Sequence, residues 1–359
     1  MLRVFEAFAG YGSQSIALRN LGIEYEVVAI SEIDKYAIKA YEAIHGSVNN
    51  LGDICKIDPS DIPDHDLFTY SFPCQDLSVA GKQAGLGKGT RSGLLYECEK
   101  VIEIKKPKYL LLENVKNLVG KKFKPQFDEW LKHLEDLGYA NYWKVLNAKD
   151  YGAPQNRERV FVVSILGDHK PYKFADKIPL DKCIADILED EVDEKYYLSK
   201  EIQNRFKITN QNKNILGTTK PDFRTIGQRD LVYDKNGIMG ALVATDYKQP
   251  KQIAEINQLG MLDIKGNEQV RRVYGPNGIS PTLNTMQGGN RQPKILEGLD
   301  YRIRKLTPRE CFRLMGMRDD DIDKIQATGI SNTQQYKMAG NSIVVNVLEA
   351  IFKNLFMEG

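Results

Sequence analysis

The sequence predicts a doubly wound α/β domain with a mostly parallel sheet, joined to a second, smaller, irregular β-rich domain. Three observations carry this. Apolar strand-like runs alternate with helical stretches over roughly the first 165 residues. A glycine turn, Gly10-Tyr11-Gly12, separates the first strand from the first helix. Beyond about Lys170 the alternation stops, and Asn, Gln, Gly and Thr become abundant.

Arg3–Phe8 (RVFEAF) reads as a strand and SQSIALRNLG as a helix stopping at Gly22. YEVVAIS is a second strand and DKYAIKAYEAIHG a second helix, with Asp34 suited to its N-cap. LFTYSF, KYLLLENV, YWKVLNA and RVFVVSIL are further strand candidates. LLYECEKVIEI and FKPQFDEWLKHLEDLG are helices between them. Lys170–Lys195 is acidic, with five Lys against eight Asp/Glu. Tyr196–Asp300 carries 15 Lys/Arg against 10 Asp/Glu and only short strand-like pieces. Tyr301–Arg318 is helical in part, with six Lys/Arg against one Glu. NSIVVNVLEAIFKNLF reads as a final helix, N-capped by Asn341 or Ser342, whose apolar face must pack on the first domain. No internal repeat or low-complexity tract is evident. The boundaries that follow are 1–180, 181–300, a hinge or return segment at 301–330, and a helix at 331–359 that completes the first domain.

The chain of 359 residues is 42% apolar and 27% charged, with a net charge of +2. That is the balance of an ordinary globular protein, so any basic surface must be local. No run reaches the roughly 18–20 apolar residues of a membrane span, and the N-terminus lacks the pattern of a signal peptide. Cys55, Cys74, Cys98, Cys183 and Cys311 are odd in number and scattered, and the four histidines do not cluster. This argues against a disulfide framework or a zinc site and for a reducing, cytoplasmic setting.

The chemistry collects at strand ends. FEAFAGYGSQS is strand, glycine turn and helix, which lets a ligand approach the backbone and the helix N-terminus. By itself it is equally a tight turn. Ser15 stands where a dinucleotide fingerprint has its third glycine, which leaves room for a single nucleoside. Glu32 ends the second strand about 20 residues on, where such folds hold ribose hydroxyls. Asp53, in LGDI, is placed to accept from an adenine amino group. Cys74 follows Pro73 at a strand end. Taken alone, a cysteine there is more often an inert core thiol than a nucleophile. Glu113, in LLLENV, ends an apolar strand at the same edge, where partial desolvation favours its protonated form. Arg157 and Arg159 lie two apart and face one side of a strand, suited to an anion or a carbonyl oxygen or to a structural ion pair.

FEAFAGYGSQS, SEID, GDI, FPCQDLS, ENV, QNRERV, RKLTPRECFRLMG and QYKMAGNSIVVNVLEAI stand in the order of one family. Together they resemble the cytosine-C5 DNA methyltransferases over nearly the whole chain. The resemblance implies a Rossmann-like catalytic and cofactor-binding domain using S-adenosyl-L-methionine, with S-adenosyl-L-homocysteine as product, and a target-recognition domain at 181–300. It implies Cys74 as the nucleophile on C6 of a flipped cytosine, Glu113 at N3 and the exocyclic amine, Arg159 at O2, and Arg157 as support for the catalytic loop or a phosphate. Phe8, Gly10 and Gly12 would line the cofactor, Glu32 would hold its ribose, Asp53 and Phe72 would meet its adenine, and Asn341 and Ser342 would close the pocket. Ser78 and Arg91 are candidate phosphate contacts in a glycine-rich loop. Thr282, Gly288, Gly289, Arg291 and Gln292 are candidate recognition residues, and Tyr301–Arg318 a further source of phosphate contacts. Tyr11, Ser13 and Ala80 depart from common family residues without removing a catalytic group. The implied partner is double-stranded DNA. A monomer without metal is expected, in a bacterial or phage-encoded system, with any cognate restriction endonuclease acting separately. The alternatives are a tRNA cytosine-5 methyltransferase with the same motifs, or a DNA-binding regulator that has kept the fold without catalysis.

Overall fold

The computed structural model describes residues 1–73, 91–203, 207–212, 215–219, 230–235, 237–256, 273–274, 294–295 and 301–358. Two compact units emerge: Met1–Val192 with Asn236–Lys251 and Leu306–Gly359, and Asp193–Lys235 with Gln252–Lys305. Asn236–Lys251 thus folds with the first unit, although it lies within the 181–300 span assigned from sequence to the second domain.

The strands of the first unit are β1 (Leu2–Ala7), β2 (Tyr25–Ser31), β3 (Leu67–Tyr70), β4 (Tyr109–Val115), β5 (Tyr139–Asn147), β6 (Gln155–Asn156) and β7 (Glu158–Leu166). Six of them form one sheet in the order β2-β1-β3-β4-β7-β5. β2, β1, β3 and β4 pair in parallel, and β7 is antiparallel to both neighbours. The central strands are apolar along their length because helices cover both faces. Phe5, Phe68, Leu110 and Val160 are fully buried, and Phe5 stacks on Phe68 at 5.1 Å. Each such side chain contributes about 1.5–3 kcal/mol by leaving water.

Helices cover the sheet, and one of them, beginning at Lys35, carries a side-chain N-cap. They are α1 (Ser13–Asn20), α2 (Lys35–His45), α3 (Leu95–Lys105) and α4 (Lys124–Asp136). Asp34 caps α2 by accepting from the Tyr36 N–H, and Gly46 ends it at φ 86°. In α4, Phe127, Trp130, Leu131 and Leu134 recur at helical spacing and form the buried face.

In the second unit, α5 (Lys200–Gln203), β8 (Lys207–Asn212), β9 (Ile215–Thr218) and β10 (Leu231–Asp234) come first. β11 (Met239–Gly240) belongs to the first unit and pairs in parallel with β6. β12 (Gln252–Ile256), β13 (Val273–Tyr274), β14 (Lys294–Ile295) and β15 (Tyr301–Lys305) follow. The second unit holds a five-stranded sheet, β15-β12-β10-β9-β8, and the pair β13-β14.

The chain then returns to the first unit through α6 (Pro308–Leu314), α7 (Asp319–Ala327), α8 (Asn332–Asn341) and α9 (Val345–Phe356). The Thr307-Pro-Arg-Glu310 motif is a capping box. Thr307 Oγ1 accepts from the Glu310 N–H at 3.2 Å and Glu310 Oε2 from the Thr307 N–H at 2.8 Å. α9 packs on the first unit, with Phe356 edge-on to Tyr109 and Glu349 accepting from Asn20. Its start corrects the sequence expectation. The helix begins at Val345, while Asn341 ends α8 and Ser342 caps that C-terminus. Among the described residues, no helix is long and apolar enough to cross a membrane.

Candidate active site

Strand register explains why the chemistry-bearing residues converge. Ala7 pairs with Ser31 and with Tyr70, and Tyr70 with Leu112, so β1, β2 and β3 finish at one level and β4 runs on from there to Val115. β7 runs the opposite way, and Arg159 pairs with Val115, so its first residues reach the same edge. A cavity of about 430 Å³ opens there. That volume falls in the roughly 300–1,000 Å³ range of small-molecule sites. Phe8, Gly10, Glu32, Asp53, Phe72, Glu113, Arg157, Arg159, Asn341 and Ser342 all line it, as does Pro73.

The first strand's end is held in an unusual conformation. Phe8 has φ 56°, in the left-handed region that costs a non-glycine residue of order 1–3 kcal/mol. Its N–H donates to the Ser31 carbonyl at 2.8 Å. Gly10 has φ 59°, and a Cβ there would meet nothing within 4 Å, so the backbone faces open space. Gly12 is different and corrects an expectation: it does not line the cavity. A Cβ on it would lie 2.5 Å from His45 Nε2 and 2.7 Å from Tyr41 Cε2, so glycine is needed for α1 to pack on α2.

Glu32 is fixed by backbone donors. Gly10 N–H reaches Oε2 at 2.9 Å, and the Ile33 and Asp34 N–H groups reach Oε1 at 2.8 Å each. Asp53 caps the turn Ile54–Lys56 by accepting from the Cys55 N–H at 3.1 Å.

Glu113 is 8% exposed, and its Oε1 lies 3.1 Å from Arg159 Nε. Burial pushes its carboxyl above the ordinary glutamate value, while Arg159, Arg157 and a hydrogen bond with Ser71 pull it back; the net direction is up. Asn114, the next residue, donates from Nδ2 to the Phe72 carbonyl at 3.1 Å. That bond fixes the segment that follows β3, immediately before Pro73.

Arg157 departs from one of its two expected roles, the phosphate contact; the catalytic loop lies outside the described residues. Its guanidinium is 3% exposed and donates to three main-chain carbonyls: Leu242 at 2.6 Å, Gly340 at 3.2 Å and Ser342 at 2.8 Å. It clamps backbone and is not presented to a phosphate. Tyr11, a cavity residue that departs from the common family pattern, donates to Ser342 Oγ at 2.7 Å. Lys337 also lines the cavity, its Nζ 2.7 Å from Asp34 Oδ2. Its place in QYKMAGNS was the available signal.

The basic stretch Tyr301–Arg318 offers less to phosphates than its composition suggests. Arg304 is fully buried. Arg313 pairs with Asp319 at 2.7 Å, and Arg309 with Glu189 and Asp323. Cys74, Ser78, Thr282, Gly288, Gly289, Arg291 and Gln292 lie outside the described residues; Arg91 begins the turn Arg91–Leu94, and its side chain is likewise outside.

A family model for C-5 cytosine-specific DNA methylase matches residues 2–357. The type II methyltransferase M2.ScrFI of Lactococcus lactis subsp. cremoris is 39% identical, with 99% of each chain covered. The type II methyltransferase M.HhaI of Haemophilus parahaemolyticus is 32% identical over 99% of this chain and 94% of its own. Among solved structures, the S. pombe Dnmt2 methyltransferase has a TM-score of 0.66 at 21% identity, covering 100% of this chain and 99% of that one. The Entamoeba histolytica methyltransferase EhMeth has a TM-score of 0.71 at 17% identity, covering 100% and 98%. These two likenesses establish the doubly wound methyltransferase fold. The family match takes in both units and almost every residue, and the chain therefore belongs to the C-5 cytosine-specific DNA methylases.

Proposed function

We propose that the cavity binds S-adenosyl-L-methionine beside a cytosine flipped out of duplex DNA. The products are 5-methylcytosine within a short specific sequence and S-adenosyl-L-homocysteine. The donor set fits such a ligand: Glu32 for the ribose diol, Phe8 and Phe72 for flat apolar contact, Asp53 for an exocyclic amine. Gly10 lets the ligand approach the backbone, and Asn341 and Ser342 form a closing wall. When bound, the cofactor supplies an electrophilic methyl group.

The chain's own groups prepare the ring to accept it. Cytosine C5 is a poor nucleophile until C6 is attacked. The Cys74 thiolate forms an S–C6 bond, and the C5=C6 electron pair moves to C5. Glu113, its carboxyl pushed toward the protonated form by burial, donates to N3 and offsets the charge that builds in the ring. Arg159, already on Glu113, faces O2. After methyl transfer water takes the C5 proton, the C5–H electron pair restores the double bond, and the C6–S bond breaks to return the thiolate. Extruding the base costs a few kcal/mol, which phosphate contacts offset.

Support comes chiefly from the Glu113–Arg159 pair at the strand edge where Pro73 also lines the cavity. M2.ScrFI and M.HhaI are named type II methyltransferases, and the Bacillus phage relatives orphan methyltransferases, so a modification role with or without a separate endonuclease fits. The family match favours DNA over the tRNA alternative. Labelled methyl transfer to duplex DNA and to tRNA, followed by bisulfite sequencing of the DNA, tests the proposal. Protected cytosines in one short motif are expected; transfer to tRNA alone, or to neither, would overturn it.

A further inference from the structure

The expectation of a chain without internal repeats is corrected by strand pairing. Val232-Tyr233-x-x-Asn236-Gly237-Ile238 recurs as Val273-Tyr274-x-x-Asn277-Gly278-Ile279. Leu242 and Leu283 follow at the same spacing, and the copies close on Lys248-Gln-Pro-Lys251 and Arg291-Gln-Pro-Lys294. Both copies begin and end in strands that pair in parallel, in registers one residue apart. β10 pairs in parallel with β12, Tyr233 opposite Ile253, and β13 pairs in parallel with β14, Tyr274 opposite Ile295. The chain therefore contains two segments of common sequence pattern, each bounded by a pair of parallel strands. The second contains the residues expected to read DNA.

The loop of the first copy is seated on the unit that holds the cavity. The Leu242 N–H donates to Gln155 Oε1 at 3.2 Å, and its carbonyl accepts from Arg157 at 2.6 Å. A Cβ on Gly340 would lie 2.3 Å from the Val243 carbonyl carbon, so the loop backbone presses directly on a cavity residue. Leu242 and Asp246 are buried, and the Asp246 carboxylate accepts from the Val243 N–H at 2.9 Å. Val243, Thr245, Tyr247 and Lys248 are exposed, with Lys248 Nζ 5.9 Å from the Tyr247 ring centre. Packing accounts for the buried pair. It does not account for an aromatic ring and a cation on the exposed side of the loop.

We propose that this loop, residues 243–248, is an additional contact for duplex DNA, with Lys248 on a phosphate and Thr245 and Tyr247 beside it. Lys248 occupies the place that Arg291 has in the other copy. The inference rests on the proposed DNA substrate, and the test separates the two. Fluorescence anisotropy of the full chain on a duplex carrying the methylated motif is measured over a salt series. The proteins are wild type, Lys248→Ala, Lys248→Glu, Tyr247→Ala and, as control, Lys132→Ala on the exposed face of α4. Lys248→Ala should weaken binding about fivefold or more and lower the salt slope by about 0.9, the value of one phosphate contact. Lys248→Glu should weaken it further, and calorimetric binding of S-adenosylmethionine should stay at the wild-type level. If wild type methylates DNA while the Lys248 and Tyr247 variants match Lys132→Ala in affinity and slope, the inference is overturned. If wild type neither binds nor methylates duplex DNA, the functional proposal falls and this one with it.

Discussion

Glu6→Gln tests the electrostatics beneath the cofactor turn. Glu6 lies in β1, fully buried, and its Oε1 accepts from Ser15 Oγ at 2.8 Å in the first turn of α1. Oε2 has no hydrogen-bond partner among the described residues. Burial pushes the carboxyl from 4.5 to about 7, against smaller opposing effects of Ser15 and Tyr41. The folded state thus holds this proton more tightly than the unfolded chain does. Its contribution to stability is fully present below about pH 4.5 and is lost as the pH rises through about 7. A shift of about 2.5 units at about 1.4 kcal/mol each makes the loss on the order of 3 kcal/mol. Glutamine keeps the acceptor for Ser15 and never ionises. Urea unfolding of both proteins between pH 5 and pH 9 should show Glu6→Gln gaining most of that amount over wild type as the pH rises. A stability difference that does not change with pH would refute the reasoning.

Other substitutions address the rest of the site. Arg157→Ala leaves three carbonyls without their cation and should cost about 3–5 kcal/mol, read as a lowered unfolding midpoint; an unchanged midpoint would remove the clamp. Glu32→Ala should weaken S-adenosylmethionine binding about tenfold or more, about 1.4 kcal/mol by calorimetry, and unaltered affinity would take Glu32 off the ribose. Tyr11→Phe deletes the 2.7 Å bond to Ser342 and should cost about 1 kcal/mol of stability, checked by urea titration; no change would mean the two segments are joined by other contacts.

Much of the first unit was legible because its strands are buried on both faces. YEVVAIS coincides with β2 to the residue, and the other five principal strands differ only at their ends. Site residues at strand ends were legible for the same reason, since parallel register brings those ends together. What escaped has physical causes. Arg157 bonds carbonyls 85, 183 and 185 residues away, and a carbonyl carries no side-chain signature. Asn341 and Ser342 are good N-cap residues, yet they finish α8, because α9 begins only after Ile343 and Val344. The cations of Tyr301–Arg318 meet partners such as Glu189 and Asp319 that lie outside that window. Gly12 shares a turn with Gly10, but its constraint is the α2 side chains behind it. The repeat is masked by a stretch two residues longer in the second copy, seven residues against five between its leucine and its cation.

The central claim, that Cys74 bonds to C6 of an extruded cytosine, is tested most directly by a duplex with 5-fluorocytosine at the target position. Fluorine cannot leave as the C5 proton does, so elimination is blocked after methyl transfer. With S-adenosylmethionine present, wild type should form a denaturant-resistant protein–DNA adduct, and Cys74→Ala should form none. Free DNA and free protein recovered after turnover conditions, or an adduct that persists in Cys74→Ala, would contradict the account.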